Sequence, residues 1–187
     1  MENLSEKIVA CIEQQKKRSC TTDSIRQALN LTGSQDFILL QKTLEEMEDR
    51  YQIFRNDNGT WSTQKQRGYY EAKISINKKG MGFIDREPFD SLRIPVQDTH
   101  GALHGDIVIY SGEPYEPYGK VIAVKERAHE HIIALYAPKF HGAKTFKLVP
   151  EDEKLKDKRL IVEKLGNFSM AEGTKVLCKI ISSEGQD

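Results

Sequence analysis

This sequence has no excess of charge of either sign, no paired cysteines and no long apolar run, and each absence narrows what the chain can be. Lys plus Arg number 28 and Asp plus Glu number 28, so the net charge is zero. A protein that grips phosphate backbone nonspecifically carries a cationic surplus, and this chain has none. The three cysteines, Cys11, Cys20 and Cys178, stand far apart, without C-x-x-C spacing and without a partnering histidine pair. That pattern argues against structural disulfides and a zinc site, and it predicts free thiols in a reducing, cytoplasmic compartment. No apolar run approaches membrane-spanning length and no charged-then-apolar leader opens the sequence. The expectation is a soluble protein with no membrane partner.

Catalytic constellations are missing as well. His129 and His131 are spaced to face one side of a strand, but they have no companion ligands. His104 precedes a Gly105-Asp106 turn, where a structural role is the simpler one. Glu151-Asp152-Glu153 is a run of like charge, the mark of a solvated loop, whereas a metal site needs spaced, convergent carboxylates. No nucleophile–base pair and no glycine-rich phosphate loop appears. The chain alone is therefore expected to have no catalytic residue, no metal and no cofactor, and not to be an enzyme.

What is present is modular. A chain of 187 residues accommodates one domain or several small units. Leu4, Ile8, Val9 and Ile12 recur at helical spacing, predicting a helix from Leu4 to Lys17. Thr21-Thr22-Asp23-Ser24 caps a second helix through Leu29. After Gly33-Ser34, Phe37, Leu40, Leu44 and Met47 predict a third helix ending near Arg50. Tyr51 to Arg55 and Thr60 to Ser62 then flank Asp57-Asn58-Gly59, a hairpin signal in which both central positions favour positive φ. Three helices and a hairpin predict a winged helix-turn-helix over residues 1–67. Its third helix carries Asp36, Glu45, Glu46, Glu48 and Asp49 against Lys42 and Arg50. Such a helix repels the phosphates beside a major groove, so protein contact is favoured over DNA reading. The wing offers Arg55, Asn56 and Asn58 as contacts.

From Tyr69 onward the pattern changes to short strands. Ile74 and Ile76 alternate with Lys73, Ser75 and Asn77, and strands follow at Phe83-Ile84, Leu92 to Ile94, Ile107 to Tyr110 and Lys120 to Val124. Five short strands punctuated by glycine predict an OB-type barrel over residues 68–131. The remainder repeats this unit imperfectly. Ile133-Ala134-Leu135-Tyr136 parallels Glu71-Ala72-Lys73-Ile74, and Met170 to Val176 echoes Ala102 to Val108. A second barrel over 132–187, incomplete for want of a closing strand, is expected. The fold class is thus α+β.

The most informative stretch is Lys78-Lys79-Gly80-Met81-Gly82-Phe83-Ile84, followed by Ser91-Leu92-Arg93-Ile94-Pro95. Alternation along a strand puts Met81 and Phe83 on one face, and the bare glycines are expected to let a flat partner approach. Lys-Gly-aromatic-Gly-aromatic-Ile on a small barrel is a base-stacking platform.

A winged helix, a barrel with Lys79-Gly80-Met81-Gly82-Phe83-Ile84, Ile94-Pro95, His104-Gly105-Asp106-Ile107-Val108 and Gly119-Lys120-Val121-Ile122, and then a second barrel resemble the N-terminal half of bacterial ribonuclease R. That family places a helical domain and two cold-shock domains before its catalytic domain. The resemblance implies RNA contacts from Lys78, Lys79, Met81, Phe83 and Arg93 in the first barrel, and from Lys144, Phe146 and Lys147 in the second. The family's Mg2+ belongs to a catalytic domain this chain does not contain. The chain departs from the family where Met81 and Arg93 replace aromatics, and where Ile161 stands at a second-barrel aromatic position. The implied role is an RNA-binding segment that guides structured RNA to a 3′-5′ exoribonuclease domain, with RNA as partner and proteins reached through the winged helix. The alternative is a standalone winged-helix and OB regulator or adaptor acting through protein or DNA contacts.

Overall fold

The computed structural model describes residues 3–15, 20–138, 146–155 and 170–180, with backbone alone for Pro138, Phe146, Lys147 and Lys154. The chain divides into two compact units, Met1–Glu71 with Ile109–Glu113, and Ala72–Val108 with Pro114–Asp187. Among the described residues no helix is long and apolar enough to cross a membrane.

The first unit contains α1 (Leu4–Gln14), α2 (Thr22–Ala28), α3 (Ser34–Asp49), β1 (Ile53–Arg55), β2 (Trp61–Thr63) and the short α4 (Gln64–Arg67). The helical apolar stripes converge: Ile8, Ile12, Ile25, Leu40, Leu44, Met47, Ile53 and Trp61 form one buried cluster. Capping sets where α2 begins. Ser24 N–H donates to Thr21 Oγ1 at 3.1 Å and Thr21 N–H donates to Ser24 Oγ at 2.9 Å. α3 starts at Ser34, ahead of its first apolar residue, because Asp36 Oδ2 accepts from Gly33 N–H at 3.1 Å. Cys20 lies in this core, where burial pushes its thiol up to about 11 and keeps it protonated.

The hairpin forms, but with a different turn. Gly59 has φ +75° while Asn58 does not enter the left-handed region. Gly59 N–H donates to the Asn56 carbonyl at 2.9 Å, and Asn56 N–H donates to the Thr60 carbonyl at 2.7 Å. This is a type I turn closed by a left-handed glycine, so one residue with positive φ suffices where the two-residue turn needs two.

The remaining strands are β3 (Tyr69–Lys73), β4 (Ser75–Ile76), β5 (Gly82–Arg86), β6 (Phe89–Ile94), β7 (Ile107–Ser111), β8 (Lys120–Glu126), β9 (His131–Pro138), β10 (Phe146–Pro150) and β11 (Lys175–Lys179). β5 lies between β4 and β6, β7 between β3 and β8, and β9 between β10 and β11. The α+β class stands, but the expected five-stranded barrel does not close: among the described residues the ladders stay in separate three-stranded sheets. Prolines supply a physical reason. Among the described residues only Pro117 to Gly119 pairs with the outer edge of β6, through Arg93 N–H to the Pro117 carbonyl at 2.9 Å and Gly119 N–H to the Arg93 carbonyl at 3.0 Å. Pro114 and Pro117 have no N–H with which to lengthen that ladder.

The internal echo is visible in hydrogen bonding. Gly105 N–H donates to the Ile74 carbonyl at 2.8 Å, and Ile74 N–H donates to the Asp106 carbonyl at 2.9 Å. The matching residues do the same: Gly173 to Tyr136 at 2.8 Å, and Tyr136 to Thr174 at 2.9 Å. Both glycines hold positive φ, +93° at Gly105 and +82° at Gly173.

Asp106 is buried, at 1% exposure. It accepts from Arg127 Nη1 at 2.5 Å, from Leu103 N–H at 2.8 Å and from Ala128 N–H at 2.9 Å. Arg127 also donates to the Gly101 carbonyl at 3.1 Å, so the ion pair fastens the 101–106 loop to the 127–128 segment.

Candidate nucleic-acid interface

The β4–β5–β6 sheet has two chemically distinct faces. Ile74, Ile76, Ile84, Leu92 and Ile94 are buried on one. On the other, Phe83 is half-buried and Ser75, Arg93 and Asp85 are exposed. Register makes this face a row. Ser75 pairs with Phe83, Phe83 with Arg93, and Arg93 forms a parallel bridge with Tyr118. Paired residues of a ladder point to the same side, so Phe83, Arg93 and Tyr118 are side-by-side neighbours. Met81, half-buried and two residues before Phe83, belongs to the same side by alternation.

Lys78 and Lys79 are exposed at the tip of the turn that feeds β5. Asn77 builds this turn: its Oδ1 accepts from Lys79 N–H at 2.9 Å and Met81 N–H at 3.1 Å. Lys78 Nζ pairs with Glu153 at 2.5 Å, and that hydrogen bond and the carboxylate charge raise the lysine's pKa. Glu151 pairs in the same way with Lys175 at 2.5 Å. The acidic run is therefore a partner for lysines. Among the described residues no three His, Cys, Asp or Glu side chains are grouped to hold a metal ion.

The glycines serve the fold and not a ligand's approach. Gly80 has φ +80° and closes the turn. A Cβ on Gly82 would lie 2.8 Å from Ile74 Cδ1 and 3.0 Å from Ile94 Cβ, on the core side of the sheet. Only hydrogen fits there.

The other expected contacts divide. Lys144 lies outside the described residues, and Phe146 and Lys147 sit on β10 with their side chains outside them. At the wing, Arg55 and Asn58 are exposed, whereas Asn56 is 8% exposed and its amide is committed. Asn56 Nδ2 donates to Thr60 Oγ1 at 2.9 Å and Ser62 Oγ at 2.8 Å, and Oδ1 accepts from Arg67 Nη2 at 2.6 Å. Asn56 thus holds the wing together, and Asn58 Oδ1 also accepts from Thr60 N–H at 3.2 Å and Thr60 Oγ1 at 2.6 Å. α3 exposes Ile38 (64%) and Leu39 (54%) in company with its acids.

Sequence reading missed two residues. Arg67 joins Arg55, Asn56, Asp57 and Asn58 around a pocket of about 200 Å3. Tyr118 joins the sheet through its bridge to Arg93, and its local signal was a proline-flanked tyrosine that reads as loop.

No family model matches this chain, and no curated protein matches its sequence. Solved structures do match. The apo form of Mycoplasma genitalium RNase R is similar at a TM-score of 0.49 and 20% identity, covering 60% of this chain and 19% of that one. Mycoplasma genitalium RNase R in complex with ribose methylated single-stranded RNA gives a TM-score of 0.48 and 19% identity, again over 60% and 19%. The chain therefore spans about a fifth of the length of the structures it matches.

Proposed function

We propose that this chain is the RNA-binding N-terminal segment of a ribonuclease R-like 3′-5′ exoribonuclease, with a winged helix ahead of cold-shock-like sheets that guide RNA toward a catalytic domain. One observation carries the RNA-binding part. Phe83, which a core role would bury among Ile74, Ile84 and Leu92, sits on the opposite face, directly across from the exposed Arg93. An aromatic ring beside a guanidinium, with Lys79 at the rim, offers two flat surfaces for unpaired bases and a cation for phosphate. Acidic α3 repels duplex DNA, and its exposed Ile38 and Leu39 suit an apolar protein surface, so the winged helix serves protein contact in this reading.

Met81→Phe tests the platform. The substitution adds an aromatic two residues before Phe83 on the same side, and should tighten single-stranded RNA binding roughly fivefold, about 1 kcal/mol. Fluorescence anisotropy with a labelled oligouridylate reads the change, and circular dichroism confirms the fold. Unchanged affinity in a folded variant would remove the platform from the account.

A further inference from the structure

The acidic run reaches the turn that feeds the platform strand. Lys78 and Glu153 lie far apart in sequence but inside the same compact unit. Lys78 Nζ approaches Glu153 Oε2 at 2.5 Å, with the lysine side chain 77% exposed and the glutamate side chain 55% exposed. An ion pair this open to water exchanges easily and adds little to stability. Its consequence lies in what else can reach Lys78.

Both partners stand on anchored backbone. Glu151 N–H donates to the Ile133 carbonyl at 2.9 Å, and Glu151 Oε1 pairs with Lys175 on β11. On the far side of Glu153, Leu155 is buried, and its N–H donates to the Asp152 carbonyl at 3.0 Å. Glu153 is thus pinned from before and after. At the other end, Asn77 N–H donates to the Met81 carbonyl at 3.0 Å and Gly80 N–H to the Asn77 carbonyl at 3.0 Å, which fixes the turn carrying Lys78 just ahead of Met81 and Phe83. The contact therefore joins two built segments.

We infer that Glu153 is an internal competitor for phosphate: its carboxylate occupies Lys78 in the free chain, and single-stranded RNA has to displace it to use that lysine. This rests on the RNA-binding reading above. A carboxylate and a phosphodiester present the same kind of anionic oxygen to an ammonium, and an ammonium, being a point charge, accepts either. Lys78 and Lys79 are the two lysines of this turn, so the contact withholds one of them from phosphate. It acts on the electrostatic part of binding and leaves the Phe83 and Arg93 surfaces untouched.

The test titrates the full chain against a fluorescein-labelled oligouridylate at low ionic strength, where exposed charges are least screened. Glu153→Gln, which keeps the side chain's shape, should tighten binding roughly two- to fivefold. Asp152→Asn removes the same charge from the next residue and should tighten it less. Lys78→Ala should weaken binding, and adding Glu153→Gln to it should gain no more than Asp152→Asn gives the parent. These side chains are exposed, so circular dichroism should not change. Equal tightening by Glu153→Gln and Asp152→Asn, or the full gain persisting in the Lys78→Ala background, would assign the effect to bulk charge and overturn the competitor role. Unchanged affinity in Glu153→Gln, with a parent that binds RNA, would overturn it and leave the platform standing. Absence of RNA binding by both the parent and Glu153→Gln would remove both.

Discussion

Asp106→Ala is expected to lower the stability of the second unit by about 3–5 kcal/mol, the largest effect of any single substitution considered. Asp106 is 1% exposed and Arg127 19% exposed, so removing the carboxylate strands a mostly buried guanidinium. It also leaves the N–H groups of Leu103 and Ala128 without their acceptor. The order Gly105-Asp106 follows from this: glycine supplies the left-handed φ of +93°, and the aspartate then turns inward onto three donors. Urea unfolding followed by circular dichroism measures the loss. A loss below about 1 kcal/mol would show that the ion pair is screened as a surface pair would be.

Phe83→Ala is expected to leave the fold standing and to weaken single-stranded RNA binding by roughly tenfold or more, since base stacking is worth about 1–3 kcal/mol. The ring is half-buried on the outer face and is not among the buried core side chains, so its truncation opens no enclosed cavity. Anisotropy titration gives the affinity and a urea midpoint the stability. The two substitutions should therefore move opposite readouts: Asp106→Ala the midpoint, Phe83→Ala the affinity. Loss of both in Phe83→Ala would return Phe83 to the core and take the platform with it.

The parts of this molecule that local physics dictates were legible in the sequence. Helical spacing found α1 and α3, because Ile8, Ile12, Leu40 and Leu44 must share a buried face, and the Thr21 to Ser24 cap found α2. Alternation placed Met81 and Phe83 together, and Ile84 away from them, because a strand has a period of two. What depends on pairing between distant segments was not legible. Nothing near Tyr118 announces that it will lie beside Arg93, and nothing near Arg127 announces Asp106. Sheet closure failed for a related reason: counting strands gives their number, but the prolines at 114 and 117 decide how far an edge can pair. Gly82 shows a third kind of limit. Glycine is required there, yet the sequence cannot say whether the space is kept for a ligand or, as in the structure, for Ile74 and Ile94.

The measurement closest to the central claim is a two-dimensional 15N–1H NMR titration of the chain with single-stranded oligouridylate. The largest shifts are expected on Lys79, Met81, Phe83, Arg93 and the neighbouring Tyr118, with α1 to α3 unmoved. Shifts confined to the wing around Arg55 and Asn58, or none at saturating RNA, would contradict it.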